Sequence, residues 1–368
     1  MSKTPSILID IATRHQVYLE GYKTHVANQF GAFLEEMAKS IDKRLKGRDL
    51  TAFNTKRLES LIGLVRGDLK DIYSDHFKTW REQIVDLAQY ESGFEKKSLQ
   101  QVLDIDYNLP SRTQLKAAVF SRPLTGITGV DGGKLLPAFY KGWTSKTIER
   151  VQGVIRSGYY QGQTTPQIVR LIKGTAGAGF RDGQLARGNK DITMLTRTAL
   201  QHAAGEAREE TWRANKDIIK GIRITATLDD RTTTQCQLLD GEVFPIDDGP
   251  RPPFHIGCRT TTVAALDERY DFLDKGATRA SRDPEDARKI VPVPAKQNYY
   301  EWLKTQPPEF QDSVIGPNRG KLLRDGGLSA TRFKELSLDK NFKPLTLADM
   351  AKVEDLALAA ERAGVNLK

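Results

Sequence analysis

Apolar residues in the first hundred positions recur at steps of three and four. Val26, Phe30, Phe33, Met37, Ile41 and Leu45 fall on one helical face, with Lys39, Asp42 and Lys43 off it. A second series runs through Leu58, Leu61, Val65, Leu69 and Ile72, then Phe77, Trp80, Ile84 and Leu87. Between them "LKGRDLTAFN" supplies Gly47 and polar residues for a turn. The pattern predicts a helical arm or bundle over residues 1–103, and the same faces suit a hairpin or an interaction arm equally.

The helical period lapses over 104–144, where Pro110, Pro123, Pro137 and the glycines of "TGITGVDGG" predict a linker. It returns in Ile148, Val151, Val154 and Ile155; a turn over Gly158–Gln163 follows, then a helix capped by Thr165 before Pro166 and stopped at Gly174. "GTAGAGF" lacks the glycine spacing and the Lys-Ser/Thr of a phosphate loop, which leaves a mobile loop. A longer helix is expected in "DITMLTRTALQHAAGEAREETWRAN", with Asp191 as its cap. The period then changes to two. "IKGIRITATLDD" and "TTTVAAL" read as strands, and "LLDGEVFPI" as a hairpin turning at Asp240–Gly241. The predicted class is α+β: a long helical N-terminal region, then a mixed domain of helices and a small sheet over 145–265, and a tail over 266–368 that packs on it or extends it.

With 39% hydrophobic and 28% charged residues, the chain suits a soluble, ordered protein, and no apolar run approaches the roughly 20 residues of a membrane-spanning helix. Asp10 and Arg14 stand where a signal peptide needs apolar residues, so no export by that route is expected. Cys236 and Cys258 are the two cysteines, too few for a disulfide framework, and a reducing compartment is expected. The net charge of +9 is concentrated in residues 101–220, a segment able to contact phosphates without reading bases or simply to form solvated helix faces.

Candidate chemistry gathers around "PPFHIGCRTTT", residues 252–262. Cys236, His255 and Cys258 carry the thiolates and imidazole that suit zinc, with a fourth ligand to come from Asp240, Asp230 or His202. Alternatively the cysteines pack as small hydrophobes while His255 bonds to backbone beneath Pro252–Pro253. Catalysis lacks support, since no orienting partner, oxyanion hole or zinc-deaminase motif is identifiable. Asp229, Asp230, Asp247 and Asp248 could hold magnesium, though acidic residues in turns are commonly just solvated.

In order, "TRTALQHAAGEAREE", "ATLDDRTTTQCQLLDGEVFP" and "PPFHIGCRTTT" resemble the head-morphogenesis domain of tailed bacteriophages, the family of phage Mu protein F and related minor head proteins. The matching elements are Thr196, Arg197 and Thr198; Asp229 or Asp230 with Arg231 and Thr232; Cys236; Leu239, Asp240 and Gly241; and Pro252, Pro253, His255, Cys258 and Arg259. "YYEWLKTQPPEFQDSVIGPNRGKLLRDGGLS" resembles the segment that follows the domain. Thr260 departs from relatives that place a further cysteine there, which weakens the family's suspected metal site.

The resemblance implies a minor capsid protein without enzymatic activity. It would join the portal-bearing procapsid in the host cytoplasm and reside inside the virion head near the portal vertex. Expected partners are the portal, capsid or scaffold proteins and non-specific duplex DNA; zinc is the one cofactor to consider. A metal-dependent nuclease or toxin-like phage effector is the alternative from another class. Within the family reading, Asp230, Arg231, Thr232, Asp240, Gly241, Pro252, Pro253, His255, Cys258 and Arg259 are expected to form a structural clasp, with Arg231 pairing Asp240 or a neighbouring carboxylate.

Overall fold

The apolar faces of the first hundred residues become helices α1 (Ser6–Asn28), α2 (Phe30–Leu45) and α3 (Thr55–Gln100). The computed structural model describes residues 6–267, 270, 276–286 and 289–367. The turn falls where expected, around Gly47 with its φ of 72°. Asn54 caps α3 by accepting the Arg57 N–H at 2.9 Å. At 46 residues α3 spans roughly 69 Å. It buries Leu58, Leu61, Val65, Leu69, Ile72, Trp80, Ile84 and Leu87, while Phe77 is half-buried.

Residues 104–144 depart from the expected linker. They contain helix α4 (Arg112–Ser121) and the start of α5 (Leu136–Tyr160), and they place Leu115, Val119, Phe120, Leu124 and Ile127 in the largest apolar cluster. The prolines bracket helices instead of breaking them. Pro110 precedes the Ser111 cap, Pro123 follows the last turn of α4, and Pro137 stands in the first turn of α5, where its missing N–H costs nothing. Helix α6 (Thr165–Lys173) is capped by Thr164, one residue before the expected Thr165, in a capping box with Gln167. Helix α7 (Gln184–Arg213) begins seven residues earlier than expected, so Asp191 lies inside it and pairs with Arg150. The loop between α6 and α7 is tied by Asp182, which accepts the Thr175 N–H and hydroxyl at 2.8 Å each.

The sheet places β1 (Ile219–Thr225) between antiparallel β2 (Val243–Pro245) and β3 (Thr261–Leu266), with Ile222 opposite Phe244 on one side and Ala264 on the other. The expected hairpin at Asp240–Gly241 is instead helix α8 (Thr234–Leu239), a turn and then β2. The Asp-Arg-Thr stretch is likewise a turn. Asp229 accepts the Arg231 N–H at 3.1 Å and the Thr232 hydroxyl binds the Thr227 carbonyl at 2.6 Å, so local side-chain bonds replace a strand ladder.

A hairpin of β4 (Thr278–Arg282) and β5 (Ile290–Pro294) follows. Then come α9 (Tyr299–Lys304), α10 (Pro308–Ile315), α11 (Pro317–Asp325), α12 (Ala330–Leu336), α13 (Leu347–Met350) and α14 (Glu354–Ala363). These helices bury Tyr300, Trp302, Leu322, Phe333 and Leu356 in one cluster that also takes in Leu228 and Leu238. The fold is α+β, and no helix among the described residues is long and apolar enough to cross a membrane.

Candidate functional site

Residues 252–259 form a corner between α7, α8 and the segment that Gly126 provides. The Pro252–Pro253 bond is cis, and a Cβ on Gly126 would stand 2.1 Å from the Arg251 carbonyl and 2.7 Å from that of Pro253. A side chain there would displace the corner. Gly257, at φ 75°, turns the chain so that its N–H meets the Thr198 hydroxyl at 2.9 Å. The Thr-Arg-Thr segment of α7 thus holds the corner directly through Thr198, whereas Arg197 faces α1 and pairs with Glu20.

Cys236 from α8 and Cys258 from the corner are both buried, with Sγ atoms 3.7 Å apart. His255 joins them: one donor atom from each of the three residues lies within 4.8 Å of the others. Burial acts to raise the Cys258 thiol, but hydrogen bonds from Cys236 and His255 and the nearby imidazolium carry it well below the usual range. Cys236 moves the opposite way, raised chiefly by its bond to Cys258 and by burial. His255 is raised because the Cys258 thiolate favours its protonated form against the cost of burial. The His255 Nδ1 also lies 3.0 Å from the Ile256 carbonyl.

This donor set fits a soft divalent ion. Two thiolates at a zinc–sulfur distance of about 2.3 Å on a tetrahedron stand about 3.8 Å apart, close to the observed separation. No fourth Cys, His, Asp or Glu joins the group among the described residues. Asp240, Asp230 and His202, the fourth ligands considered from sequence, lie elsewhere. His202 binds the Val119 carbonyl at 3.2 Å, and burial lowers it to about 4.

Two carboxylates fasten the surroundings. Asp229 receives Arg259 in bidentate fashion at 2.6 and 2.8 Å and the Thr232 hydroxyl at 3.0 Å. Burial opposes ionisation of Asp229, yet Arg259 holds its carboxyl below the usual range. Asp240 is fully buried, accepts the Ala226 N–H at 2.7 Å, and is gripped by Arg279 at 3.0 and 3.1 Å. Lys334 adds a bond to the Asp240 carbonyl at 2.9 Å. Of the two partners expected for Arg231, it meets the neighbouring carboxylate Asp229 and not Asp240. Arg279 occupies the place beside Asp240, and Arg231 is 65% exposed and reaches only Asp229, at 3.5 Å. Asp230 is also exposed, 3.5 Å from Arg282, because the turn directs Asp229 inward in its stead. Gly241 completes the turn with φ 83°.

The acidic residues considered for magnesium do not converge. Asp229 is taken by Arg259, and Asp247 by Arg213 and Lys216.

Sequence reading missed a second, largely buried polar seam behind the corner. Lys23 of α1 bonds to Glu20 at 2.6 Å and to Gln201 of α7, and Gln201 donates to the Thr260 carbonyl at 2.8 Å. Arg208 binds Glu91 at 2.7 Å and the Thr261 hydroxyl, while His15 meets the other Glu91 oxygen at 2.7 Å. Gln201 and Arg208 stand among alanines in "ALQHAAGEAREE", and polar residues on so small and apolar a face were the available signal. Arg279 had none, since it lies 39 positions beyond Asp240 in a hairpin without a motif.

Residues 149–263 match the family model described as phage Mu protein F like protein, within the span expected from the motif order. No curated protein and no solved structure matches the chain.

Proposed function

Because the chain carries a phage Mu protein F-like domain over residues 149–263, we propose that it is a minor capsid protein of a tailed bacteriophage, acting in head morphogenesis at the portal vertex. The family match carries this reading. The buried bonding of its motif residues agrees with it: Asp229, Arg259, Asp240 and Thr198 are spent on holding elements together, which suits a binding and assembly part better than an enzyme.

The portal-facing surface in this reading is the α1–α3 face. Tyr18 and Tyr90 are about half exposed there and stack around the buried His15, a rigid aromatic patch of the kind that anchors protein interfaces. Removal of residues 1–100 is a poor test, because α3 shares its core with α7 and their Arg208–Glu91 pair would be broken. Point changes are better. Tyr18→Lys with Tyr90→Lys should leave the fold intact and abolish co-purification with portal; procapsids that never contain the protein overturn the proposal.

DNA contact would fall to fewer cations than the charge suggests. Arg122, Arg150, Arg156, Arg197, Arg208 and Arg213 are already paired with carboxylates. The exposed Arg170, Arg181, Arg187 and Lys190 flank the α6–α7 loop and remain for phosphates. Four such contacts imply a log–log salt slope of roughly −3 to −4 and no sequence preference. Filter retention of duplex DNA over a salt series measures it, and binding indifferent to salt refutes it. Cys236, His255 and Cys258 would hold one zinc as a structural staple in the same reading, with the fourth position left to water or a neighbouring hydroxyl.

A further inference from the structure

Away from the corner, a cavity of about 400 Å³ opens between α3 and α5. Its apolar wall is made by Tyr73, Phe77, Tyr140 and Ile148. The wall is preformed. The Tyr140 hydroxyl donates to the Tyr73 carbonyl at 2.9 Å and accepts from His76 Nδ1 at 2.7 Å, and its ring packs against Phe77 and Trp80 at centroid distances of 4.8 and 5.2 Å. Burial lowers His76 to about 4, so this floor is neutral near pH 7.

The two charged residues on the lining are both lysines, Lys70 from α3 and Lys141 from α5. Both are exposed, and neither pairs with a carboxylate among the described residues. Asp75, nearby on α3, is held by Lys78 at 2.7 Å. A neutral aromatic floor between two free cations on facing helices asks for an occupant with an apolar centre and an anion on either side. A fatty acid offers one anion, and a nucleic-acid backbone offers no apolar anchor.

We propose that this cavity is a docking site for an acidic segment of a protein partner, which inserts one aromatic or aliphatic side chain between Lys70 and Lys141 while flanking carboxylates meet the two ammonium groups. The volume suits a single large side chain, and the rigid wall reduces the ordering cost of binding. The site lies outside the family-matched segment and does not depend on the head-assembly reading.

Selection of a random peptide display library on the immobilised full-length chain tests it, with affinities of enriched peptides measured by fluorescence anisotropy. The expected consensus is a Phe, Trp or Leu flanked by Asp or Glu. Affinity should fall about tenfold or more in the Lys70→Glu/Lys141→Glu double variant and in Ser74→Trp, which fills the mouth from an exposed position, with thermal melts unchanged. No consensus, a consensus without acidic residues, or binders indifferent to both variants would overturn the proposal. Decanoate competing as strongly as the peptides would also overturn it, making the cavity an amphiphile site. Procapsids lacking the protein would leave this result untouched, so the two readings fail separately.

Discussion

The corner and the C-terminal helices hold together by different means. Around the corner a small apolar cluster of Ile224, Ala226, Leu239, Phe254 and the two cysteines is framed by buried polar pairs: Asp229 with Arg259, Asp240 with Arg279 and Lys23 with Gln201. In α9–α14 the interior is apolar, with Tyr300, Trp302, Leu322, Phe333 and Leu356 packed on one another. Burying carbon is tolerant of small shifts and stabilises in proportion to area, whereas a buried ion pair must be satisfied completely or not at all. The corner should therefore fail abruptly on loss of one partner, and the helices by degrees.

Asp240→Ala and Trp302→Ala share the largest expected effect, and Asp240→Ala is the one without a rescue. It leaves Arg279 buried without its carboxylate and removes the acceptor for the Ala226 N–H, a loss of about 3–5 kcal/mol. Denaturant melts should show it, and limited proteolysis should cut near β4 in the variant. A change under about 1 kcal/mol would remove the contrast between the two regions.

Trp302→Ala tests the other side. It empties a fully buried site and should cost about 3–5 kcal/mol by cavity formation, but the smaller change Trp302→Phe should recover much of that. No conservative replacement should rescue Asp240 so well.

The polar seam also makes stability depend on pH. Burial pushes Glu95 up to about 7, against an unfolded value of about 4.3, although Arg208 and the Trp212 N–H act to lower it. The folded state then holds the proton more tightly. Stability is complete below about pH 4.3 and declines as pH rises towards 7. Glu95→Gln should abolish this decline, leaving the melting temperature unchanged at pH 4 and raising it at pH 8. An unchanged melt at pH 8 would refute the assignment.

A smaller loss, about 1–3 kcal/mol, is expected for His255→Ala and for Cys258→Ala. Elemental analysis distinguishes the two forms of the clasp. One zinc per chain, absent from both variants, supports coordination; a metal-free wild type of equal stability leaves packing alone. The smallest effect is Arg231→Ala, within about 0.5 kcal/mol, because its guanidinium is largely in water. Arg259→Ala, which strips Asp229 of its bidentate partner, should cost clearly more in the same melts.

Much of this was legible in the chain. The apolar series of α2 and α3 predicted their buried faces because a 3.6-residue period is a local property that needs no partner to be read. Motif order located the corner, and Cys236, His255 and Cys258 do meet. The linker reading failed because prolines mark both helix starts and helix breaks, and only the position of the cap tells which. The hairpin reading failed because Asp229 and Thr232 bind the turn backbone and α8 follows, a competition between local bonds and a strand ladder that alternating residues do not reveal.

By itself, then, the amino-acid order determined the long helices of the first hundred residues, which face of each is apolar, and which short peptide carries the imidazole and one of the two thiols. Tertiary structure alone decided the partners of the buried charges between distant elements. Asp240 could have met Arg231 nine positions away but meets Arg279, and Arg208 and Gln201 turn inward to Glu91 and Thr260. A side chain's spacing fixes its place on an element, whereas the partner of a buried charge depends on which distant element supplies a matching group once water has been excluded.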